Sequence, residues 1–344
     1  MDSLDDYEFD LPEELIAEKP LEERSASRML NVGLSSRSLD DRRFKELPQI
    51  LRAGDIVVLN NTRVFPARLM GRTPTGARVD VFLSDEIGDG RWEALARPAK
   101  RLRAGAVVEF GSGLTGEVLE RPQNGKVQIE FRHSGDFFDV LESVGRTPLP
   151  PYIKRDPSAP DTDRDRYQTI FARERGAIAA PTAGLHFTPD ILDELRSRGV
   201  ETAEITLHVG YGTFEPIRVT DIRKHRVLPE RYSVSPQVAD QLNNARAEGR
   251  RIIAIGTTTT RTLETVVSPE GAFLAGDGLA NLTILPGYSF RAIDGLLTNF
   301  HLPRSSLLVL VSAFAGHDLI MRAYRHAVRE RYRFYSYGDC MLIV

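Results

Sequence analysis

The sequence of 344 residues predicts an α/β fold that carries an inserted small antiparallel β-barrel. From about Leu69 to Gly145, short runs that alternate apolar and polar residues are separated by Gly-rich or Asn-Gly turns, as in small barrels. Beyond this segment, apolar strands alternate with helical patterns, which is typical of an α/β layer. We therefore expect a discontinuous α/β domain made of residues 1–68 and 150–344, and a barrel domain made of residues 69–149.

The predicted elements follow in order along the chain. The opening "LPEELIAEKPLEERSASRML" has roughly helical apolar spacing, "DIVVLN" is typical of a buried strand, and "NNTR" of a polar turn. After the barrel, the Pro- and Asp-rich stretch "TPLPPYIKRDPSAPDTDRDRYQTIFA" is typical of a linker. The later strands are predicted at "GAIAA", "VETAEITLHVG", "RIIAIG" and "CMLIV", and the helices at "TPDILDELRSRG", "SPQVADQLNNARAEG", "SSLLVLVSAFAG" and "DLIMRAYRHAVRE".

One glycine pattern has two interpretations. "GSGLTG", residues 111–116, matches the spacing of a dinucleotide-binding loop, but such a loop needs a helix after it. The residues that follow, "EVLERPQNGKVQIEF", alternate like a strand. The sequence therefore predicts a hairpin turn of the barrel at this position.

Composition limits the possible classes of protein. The net charge of −3 does not indicate a nucleic-acid binder, and the single cysteine, Cys340, fits a reducing compartment. The acidic N-terminus lacks the order of a signal peptide, and the longest apolar run is too short to span a bilayer, so a cytoplasmic protein without membrane contact is expected. The seven histidines lack metal-ligand spacing, so no metal site is predicted. The sequence does not fix the oligomeric state; a monomer or weak oligomer is expected.

Polar residues cluster at four predicted strand-to-helix turns. Ligands bind at the carboxyl ends of strands in such sheets, and helix N-termini hold anions. Any one turn has an ordinary structural explanation, but four of them predict loops that converge on one polar cleft. The threonine run is expected at a turn rather than inside a helix, because threonine is a poor helix former. The candidate residues are Thr182, Gly184 and His186; His208, Gly210, Tyr211 and Gly212; Thr257, Thr258, Thr259, Thr260 and Arg261; and Thr298, Asn299, His301, Arg304, Ser305 and Ser306.

Two basic stretches suggest a nucleic-acid partner. "RWEALARPAKRLRAG" contains Arg97, Lys100 and Arg101, and "RAYRHAVRERYRF" interleaves arginines, among them Arg331 and Arg333, with aromatic residues. Such patterns can follow phosphates and stack on unpaired bases. A solvated helix face is the usual explanation of one such run, whereas two of them favour RNA binding.

Several long motifs in fixed order resemble the S-adenosylmethionine:tRNA ribosyltransferase-isomerases of queuosine biosynthesis. They are "YEFDLPEELIA", "GDIVVLNNTRVFPARL", "APTAGLHFT", "HVGYGTF", "RIIAIGTTTTRTLE", "TNFHLPRSSLL" and "YRFYSYGDCMLI", and they span essentially the whole chain. The resemblance implies an enzyme that transfers the ribosyl part of S-adenosylmethionine to 7-aminomethyl-7-deazaguanine at the wobble position of tRNAs with GUN anticodons. The ribosyl part is isomerised to give epoxyqueuosine, and adenine and methionine are released. S-adenosylmethionine is then a substrate, and no cofactor is expected.

The resemblance also suggests roles for the candidate residues. His186, His208 and His301 would supply the base and the proton donor, since histidine transfers protons near neutral pH. Tyr211 would line a pocket for adenine or deazaguanine. The threonine run and Arg261 would hold either the methionine carboxylate or an anticodon phosphate. The chain departs from the family pattern at two positions: Asn61 stands where the family often has an acidic residue, and Leu228 where a second histidine is expected beside His225.

Two other functions compete with this one. An S-adenosylmethionine-dependent methyltransferase would need a Gly-rich loop between its first strand and a helix, and the sequence has none in that position. A non-catalytic RNA-binding module would bind tRNA with strong salt dependence, but it would not need the polar loops of the α/β domain.

Overall fold

The computed structural model describes residues 3–120, 123, 125–156, 159–214 and 217–344, and only the backbone of residues 101, 213 and 214. Its strands are β1 Arg28–Val32, β2 Leu39–Arg43, β3 Ile56–Asn60, β4 Thr62–Val64, β5 Arg68–Arg72, β6 Arg78–Gly88, β7 Arg91–Arg97, β8 Val107–Gly111, β9 Leu114–Val118, β10 Lys126–Arg132, β11 Gly145–Arg146, β12 Glu174–Ala177, β13 Glu201–Leu207, β14 Glu230–Val234, β15 Ile252–Ile255, β16 Gly276–Ala280, β17 Gly295–Asn299 and β18 Cys340–Ile343. Its α-helices are α1 Leu47–Ile50, α2 Phe137–Val144, α3 Pro189–Ser197, α4 Pro236–Ala247, α5 Thr257–Val266, α6 Ser306–Ala315 and α7 His317–Arg329.

The larger sheet has nine strands in the order β16-β14-β13-β3-β15-β17-β18-β1-β2. The four strands β13, β3, β15 and β17 run parallel to one another, and antiparallel neighbours flank them on both sides. Parallel strands end at the same edge of a sheet, so the residues that follow these four strands meet there. Three of the four predicted polar turns, those after β13, β15 and β17, leave the sheet at this edge.

Strand β3 shows why this sheet is covered on both faces. Ile56 and Val58 join one buried apolar cluster, whereas Val57 and Leu59 join another, because successive side chains of a strand point to opposite faces. A strand buried on both faces reads as a continuous apolar run, which is how "DIVVLN" reads. Each fully buried valine, leucine or isoleucine contributes about 1.5–3 kcal/mol to stability.

The smaller sheet is the barrel. Its strands follow the order β11-β5-β6-β7-β10-β9-β8, and a pairing between β5 and β8 closes it. Along β7, Trp92, Ala94 and Ala96 are buried, in the alternation that the sequence shows. "GSGLTG" forms the hairpin between β8 and β9, so the prediction of a turn is confirmed. The α/β fold with an inserted barrel is confirmed too, while the domain limits at residues 69 and 149 stay a prediction.

Three local predictions are wrong because tertiary contacts decide them. The N-terminal stretch forms only short 3-10 turns. Its backbone pairs with a distant part of the chain instead of continuing a helix: the Ala17 N–H donates to the Phe334 carbonyl at 3.1 Å, and the Phe334 N–H donates to the Leu15 carbonyl at 2.7 Å. "NNTR" is not a turn: Thr62–Val64 pairs with β12 as a strand. The presumed linker packs into the molecule, because the buried Asp163 accepts hydrogen bonds from Arg155 and from the Tyr337 hydroxyl.

The two C-terminal helices, α6 and α7, meet at Gly316. Within the described ranges no single helix is long and apolar enough to cross a membrane, and α6 and α7 reach the required length only as a pair bent by 119°.

Candidate active site

A cleft of about 590 Å³ opens where the four parallel strands end. The cleft brings together six of the predicted residues, namely Thr182, Thr257, Thr258, Thr298, Asn299 and His301. The prediction that distant polar turns converge is therefore confirmed for the turns that carry these residues.

The threonine run starts helix α5 rather than preceding it. Gly256 makes the sharp turn out of β15 with φ 92°, a conformation that favours glycine, and the helix begins at Thr257. Inside the helix, the Thr259 hydroxyl donates to the Ile255 carbonyl at 2.7 Å and the Thr260 hydroxyl to the Gly256 carbonyl at 3.1 Å. These bonds satisfy the buried hydroxyls, so the prediction that the whole run lies in a turn is wrong.

The N-terminus of α5 faces the cleft through Thr257 and Thr258. The first backbone N–H groups of a helix have no partner within it, and the helix dipole makes this end positive. Asn60, at the end of β3, fixes the position: its side-chain amide donates to the Thr258 hydroxyl at 3.3 Å and to the Leu207 carbonyl at 3.0 Å. This end of the cleft is suited to an anionic group.

His301 is the histidine that lines the cleft. Its backbone N–H donates to the Tyr324 hydroxyl at 2.9 Å, and its Nε2 lies 2.9 Å from the Thr298 hydroxyl. Burial lowers the pKa of His301 to about 3, so the ring is neutral at physiological pH. Its Nδ1 makes no hydrogen bond within the described residues. A neutral ring with an uncommitted nitrogen can exchange a proton with a bound molecule.

His186 lies behind the wall of the cleft, in contact with Asn299. The Asn299 amide nitrogen lies 3.3 Å from the Asp339 carbonyl, which requires a donor, and 3.3 Å from His186 Nε2. Nε2 therefore accepts, and Nδ1 carries the proton that it donates to the Ser27 hydroxyl at 2.8 Å. Burial, with the charges of Arg333 and Arg24, lowers the pKa of His186 to about 3. Both ring nitrogens are committed, which suits a residue that positions Asn299.

His208 and Tyr211 lie away from the cleft. His208 Nδ1 is 2.9 Å from the Thr62 hydroxyl, and its ring packs under Gly176, where a Cβ would come within 2.7 Å of it. Burial lowers the pKa of His208. The ring of Tyr211 meets Phe82 of the barrel at 6.0 Å. The structure thus separates these two residues from His301, although the neighbouring Val209 lines the cleft.

A second cavity of about 510 Å³, called here the side cavity, contains Gly212, Arg261 and Ser306. Arg261 forms a buried ion pair with Glu230 at 2.5 Å and donates to the Ala280 and Leu282 carbonyls. The other Glu230 oxygen accepts the Gly210 N–H at 2.9 Å. His225 also lines the side cavity, and its buried Nε2 has no hydrogen-bond partner within the described residues.

The other predicted binding residues have structural contacts. Arg304 pairs with Asp5 at 2.9 Å, and Ser305 caps α6 by accepting the Leu308 N–H at 3.3 Å. Gly184 is packed so closely that a Cβ would lie 2.7 Å from the Phe171 ring. None of these three lines the cleft within the described residues.

The predicted RNA-binding residues divide into two groups. Arg97 and Lys100 are exposed on the barrel, while the side chain of Arg101 lies outside the described part of the chain. Arg331 is exposed and lies 3.9 Å from Glu14. Arg333 points inward: it donates to the Lys19 carbonyl, and its Nη1 is buried without a partner in the described ranges. In those ranges no group of three or more His, Cys, Asp or Glu side chains could hold a metal ion.

One departure from the family pattern has a local explanation. The Asn61 amide nitrogen lies 3.2 Å from a carboxylate oxygen of Glu204, and its carbonyl oxygen accepts the Thr206 hydroxyl at 2.7 Å. An aspartate at this position would place a second negative charge beside Glu204. An asparagine donates to that carboxylate instead.

Sequence reasoning missed three residues that the structure places at the cleft or against it. Asn60 fixes Thr258, and Tyr335 and Ser336 line the cleft. The position of Asn60 at the end of a buried strand was a usable signal. Tyr335 and Ser336 lie in "YRFYSYGDCMLI", which gave the family likeness but no role for its side chains.

Comparison with known proteins places this geometry in a family. A sequence profile described as "Queuosine biosynthesis protein" matches residues 4–343. The chain is 51% identical over 343 residues to proteins of Symbiobacterium thermophilum and Syntrophotalea carbinolica, each named S-adenosylmethionine:tRNA ribosyltransferase-isomerase, and covers 99% of both. This chain belongs to the queuosine biosynthesis family. The family predicted from the motifs is confirmed, and with it an enzyme of the transferase class.

A crystal structure supports the same assignment. The S-adenosylmethionine tRNA ribosyltransferase of Thermotoga maritima matches with a TM-score of 0.56 and 34% identity, over 98% of this chain and 100% of that chain. The likeness therefore includes both the nine-stranded sheet and the barrel.

Proposed function

We propose that the protein transfers the ribosyl part of S-adenosylmethionine to 7-aminomethyl-7-deazaguanine at the wobble position of tRNA and isomerises it, giving epoxyqueuosine and releasing adenine and methionine. The observation that carries this proposal is the 51% identity, over 99% of the chain, to proteins named for this class of reaction. The fit of the cleft to the donor is a further support.

The donor has three groups that the cleft could recognise. Its carboxylate matches the positive N-terminus of α5 at Thr257 and Thr258, and its ribose diol matches the hydroxyl and amide groups of Thr182, Thr298 and Asn299. The side cavity offers a poorer place for the carboxylate, because Arg261 is already neutralised by Glu230. We therefore assign the carboxylate to the α5 end, with the anticodon phosphate outside the cleft.

His301 is assigned the first chemical step. The sulfonium acidifies the ribose 5′ carbon, and a neutral imidazole can take the proton from it. The bond between adenine and the ribose then breaks, and adenine leaves with a proton supplied within the site. The acceptor amine attacks, and closure of the epoxide breaks the carbon–sulfur bond and releases methionine. His186 acts in this scheme by positioning Asn299.

The tRNA is assigned to the outer surface. Arg97 and Lys100 on the barrel are exposed cations that can contact phosphates without reading sequence. The proposal includes that the tRNA substrate has a GUN anticodon. No cofactor is needed, since the donor carries both the ribosyl group and the leaving groups.

The test is incubation of the protein with S-adenosylmethionine and a tRNA that carries 7-aminomethyl-7-deazaguanine, with adenine and methionine measured together. Equal release of both, in proportion to modified tRNA, is expected. A tRNA with ordinary guanine at the wobble position and a tRNA outside the GUN set are the controls. Release of S-adenosylhomocysteine would instead identify a methyltransferase, and tight tRNA binding without consumption of the donor would identify a binding module.

A further inference from the structure

Tyr335 has a backbone conformation that is rare for a bulky residue. Its φ of 74° lies in the left-handed region, where glycine and asparagine are at ease and tyrosine is strained. The surrounding turn imposes it: the Tyr335 N–H donates to the Phe300 carbonyl at 2.9 Å, and its carbonyl accepts the Gly338 N–H at 3.0 Å. Strain of this kind is found mainly where function requires a side chain at that place.

The Tyr335 ring also packs against a neighbouring ring. The Tyr152 ring lies 4.5 Å from the Tyr335 ring, centroid to centroid, and the Tyr152 hydroxyl accepts the N–H of Ser336 at 3.1 Å. Tyr335 is partly exposed and lines the cleft. Its ring therefore has one side supported by protein while the residue borders open space.

The other aromatic residue of the cleft cannot offer such a surface. Tyr167 is only 1% exposed, and its ring meets that of Tyr337 at 5.9 Å. Tyr211, which the sequence suggested for this role, lies against the barrel. Among the described residues that line the cleft, Tyr335 is the aromatic residue that is not fully buried.

We propose that a purine-type ring stacks on Tyr335 in the cleft. The inference rests on the proposed function, in which both the adenine of the donor and the deazaguanine of the acceptor are such rings. Stacking of a base on an aromatic side chain is sequence-tolerant and accounts for roughly a 10- to 100-fold gain in affinity. The apolar Val209 and Leu307 complete the lining for a flat ring, and the polar groups of β17 and α5 lie along the same cleft.

The test uses two substitutions at Tyr335. Tyr335→Asn removes the ring but suits the left-handed backbone, so we expect a melting temperature at or above that of the wild type. Tyr335→Phe keeps the ring and should bind as the wild type does. The control is Arg37→Asn, at an exposed residue that also has a positive φ of 55°.

Binding is measured separately for the two sources of the ring. Titration with S-adenosylmethionine alone tests adenine, and titration with tRNA carrying 7-aminomethyl-7-deazaguanine, compared with the same tRNA carrying guanine, tests the acceptor. A 10- to 100-fold loss for Tyr335→Asn in one titration supports the proposal and identifies the ring. Unchanged affinity in both titrations, with a folded variant, overturns it.

Three further outcomes are informative. If Tyr335→Asn lowers the melting temperature, Tyr335→His is used in its place, because histidine offers a flat ring and tolerates the left-handed region. If Tyr335→His keeps the wild-type affinity, the result supports stacking. If it loses affinity, the result contradicts stacking. A wild-type protein that releases no adenine would contradict the proposed function. An active wild type with an equally active Tyr335→Asn would contradict the stacking alone.

Discussion

The cleft and the side cavity adjoin each other at Leu307 and have similar volumes, about 590 and 510 Å³, yet their polar groups differ in one respect. In the side cavity, Arg261 and Glu230 neutralise each other and backbone groups take their remaining hydrogen bonds, while Nε2 of His225 is buried without a partner in the described ranges. In the cleft, the first N–H groups of α5 and Nδ1 of His301 are not committed to protein partners in the described ranges.

This difference teaches which polar residues are candidates for binding. Arg261 and Thr258 belong to one motif and one helix, but the long side chain of Arg261 reaches Glu230 on β14 and becomes part of the framework. The short side chain of Thr258 stays at the helix end, in the cleft. Buried polar groups that the protein satisfies hold the fold, whereas those left over are available to substrates.

The largest expected effect is on turnover when His301 is changed. His301→Gln keeps a polar atom within reach of Thr298 but removes the imidazole, so adenine release should fall by about 10²- to 10⁴-fold. The denaturant midpoint should change little. His326→Gln, at a residue of α7 that does not line the cleft, is the control and should keep full activity. Normal turnover of His301→Gln would contradict the assignment of His301 as the base.

The next effect concerns stability and the side cavity. Arg261→Leu leaves Glu230 as a buried charge without its cation, which costs about 3–5 kcal/mol. Urea unfolding should show this loss, and the double variant Arg261→Leu, Glu230→Gln should recover part of it because no charge is then left unpaired. A wild-type midpoint for Arg261→Leu would contradict the view that this pair is structural.

Acid should weaken the wall of the cleft through His186 and His301. Both have a folded-state pKa of about 3, below the value of about 6.5 expected for the unfolded chain. The unfolded state therefore binds more protons between these values: the stabilising contribution is complete above pH 6.5 and is lost as pH falls toward 3. Each histidine adds a slope of up to about 1.4 kcal/mol per pH unit.

The measurement is urea unfolding between pH 7.5 and pH 5 for the wild type and for His186→Gln and His301→Gln. Each substitution should lower the slope of the unfolding free energy against pH by the contribution of one histidine. His326→Gln, whose ring is hydrogen-bonded to Asp41 at the surface, serves as the control. Curves that stay parallel for all variants would show that neither buried ring titrates on unfolding.

Much of the architecture could be predicted because it depends on local pattern. The alternation in "RWEALAR" gives β7, and the apolar run of "RIIAIG" gives β15. The convergence of polar turns followed from the rule that parallel strands end at one edge. The sequence could not show that Thr259 and Thr260 would satisfy their hydroxyls within the helix, since that depends on burial.

Individual side-chain roles were harder to predict, for physical reasons. His208 and His301 both follow strands, but Thr62 and Gly176 enclose the former, and both come from distant parts of the chain. Tyr335 lines the cleft with a positive φ, and no residue-type preference predicts that conformation for tyrosine. Contacts between residues that are distant in sequence decide which nitrogen or ring has no partner within the folded protein.

The smallest expected effect concerns cations on the surface of the barrel, where the same distinction between paired and unpaired groups applies. Arg97 and Lys100 form no ion pair within the described residues, whereas Arg132, elsewhere on the barrel, is paired with Glu117 at 2.9 Å. Free cations can replace the counterions of RNA phosphates, so each alanine substitution at Arg97 or Lys100 should weaken tRNA binding a few-fold and lower the slope of log affinity against log salt by about 1. Arg132→Ala should leave that slope unchanged, because its charge is already neutralised. Equal slopes for all three variants would show that the tRNA binds another surface. The distinction between paired and unpaired polar groups would then identify binding residues only in the interior, where water cannot compensate an unpaired group.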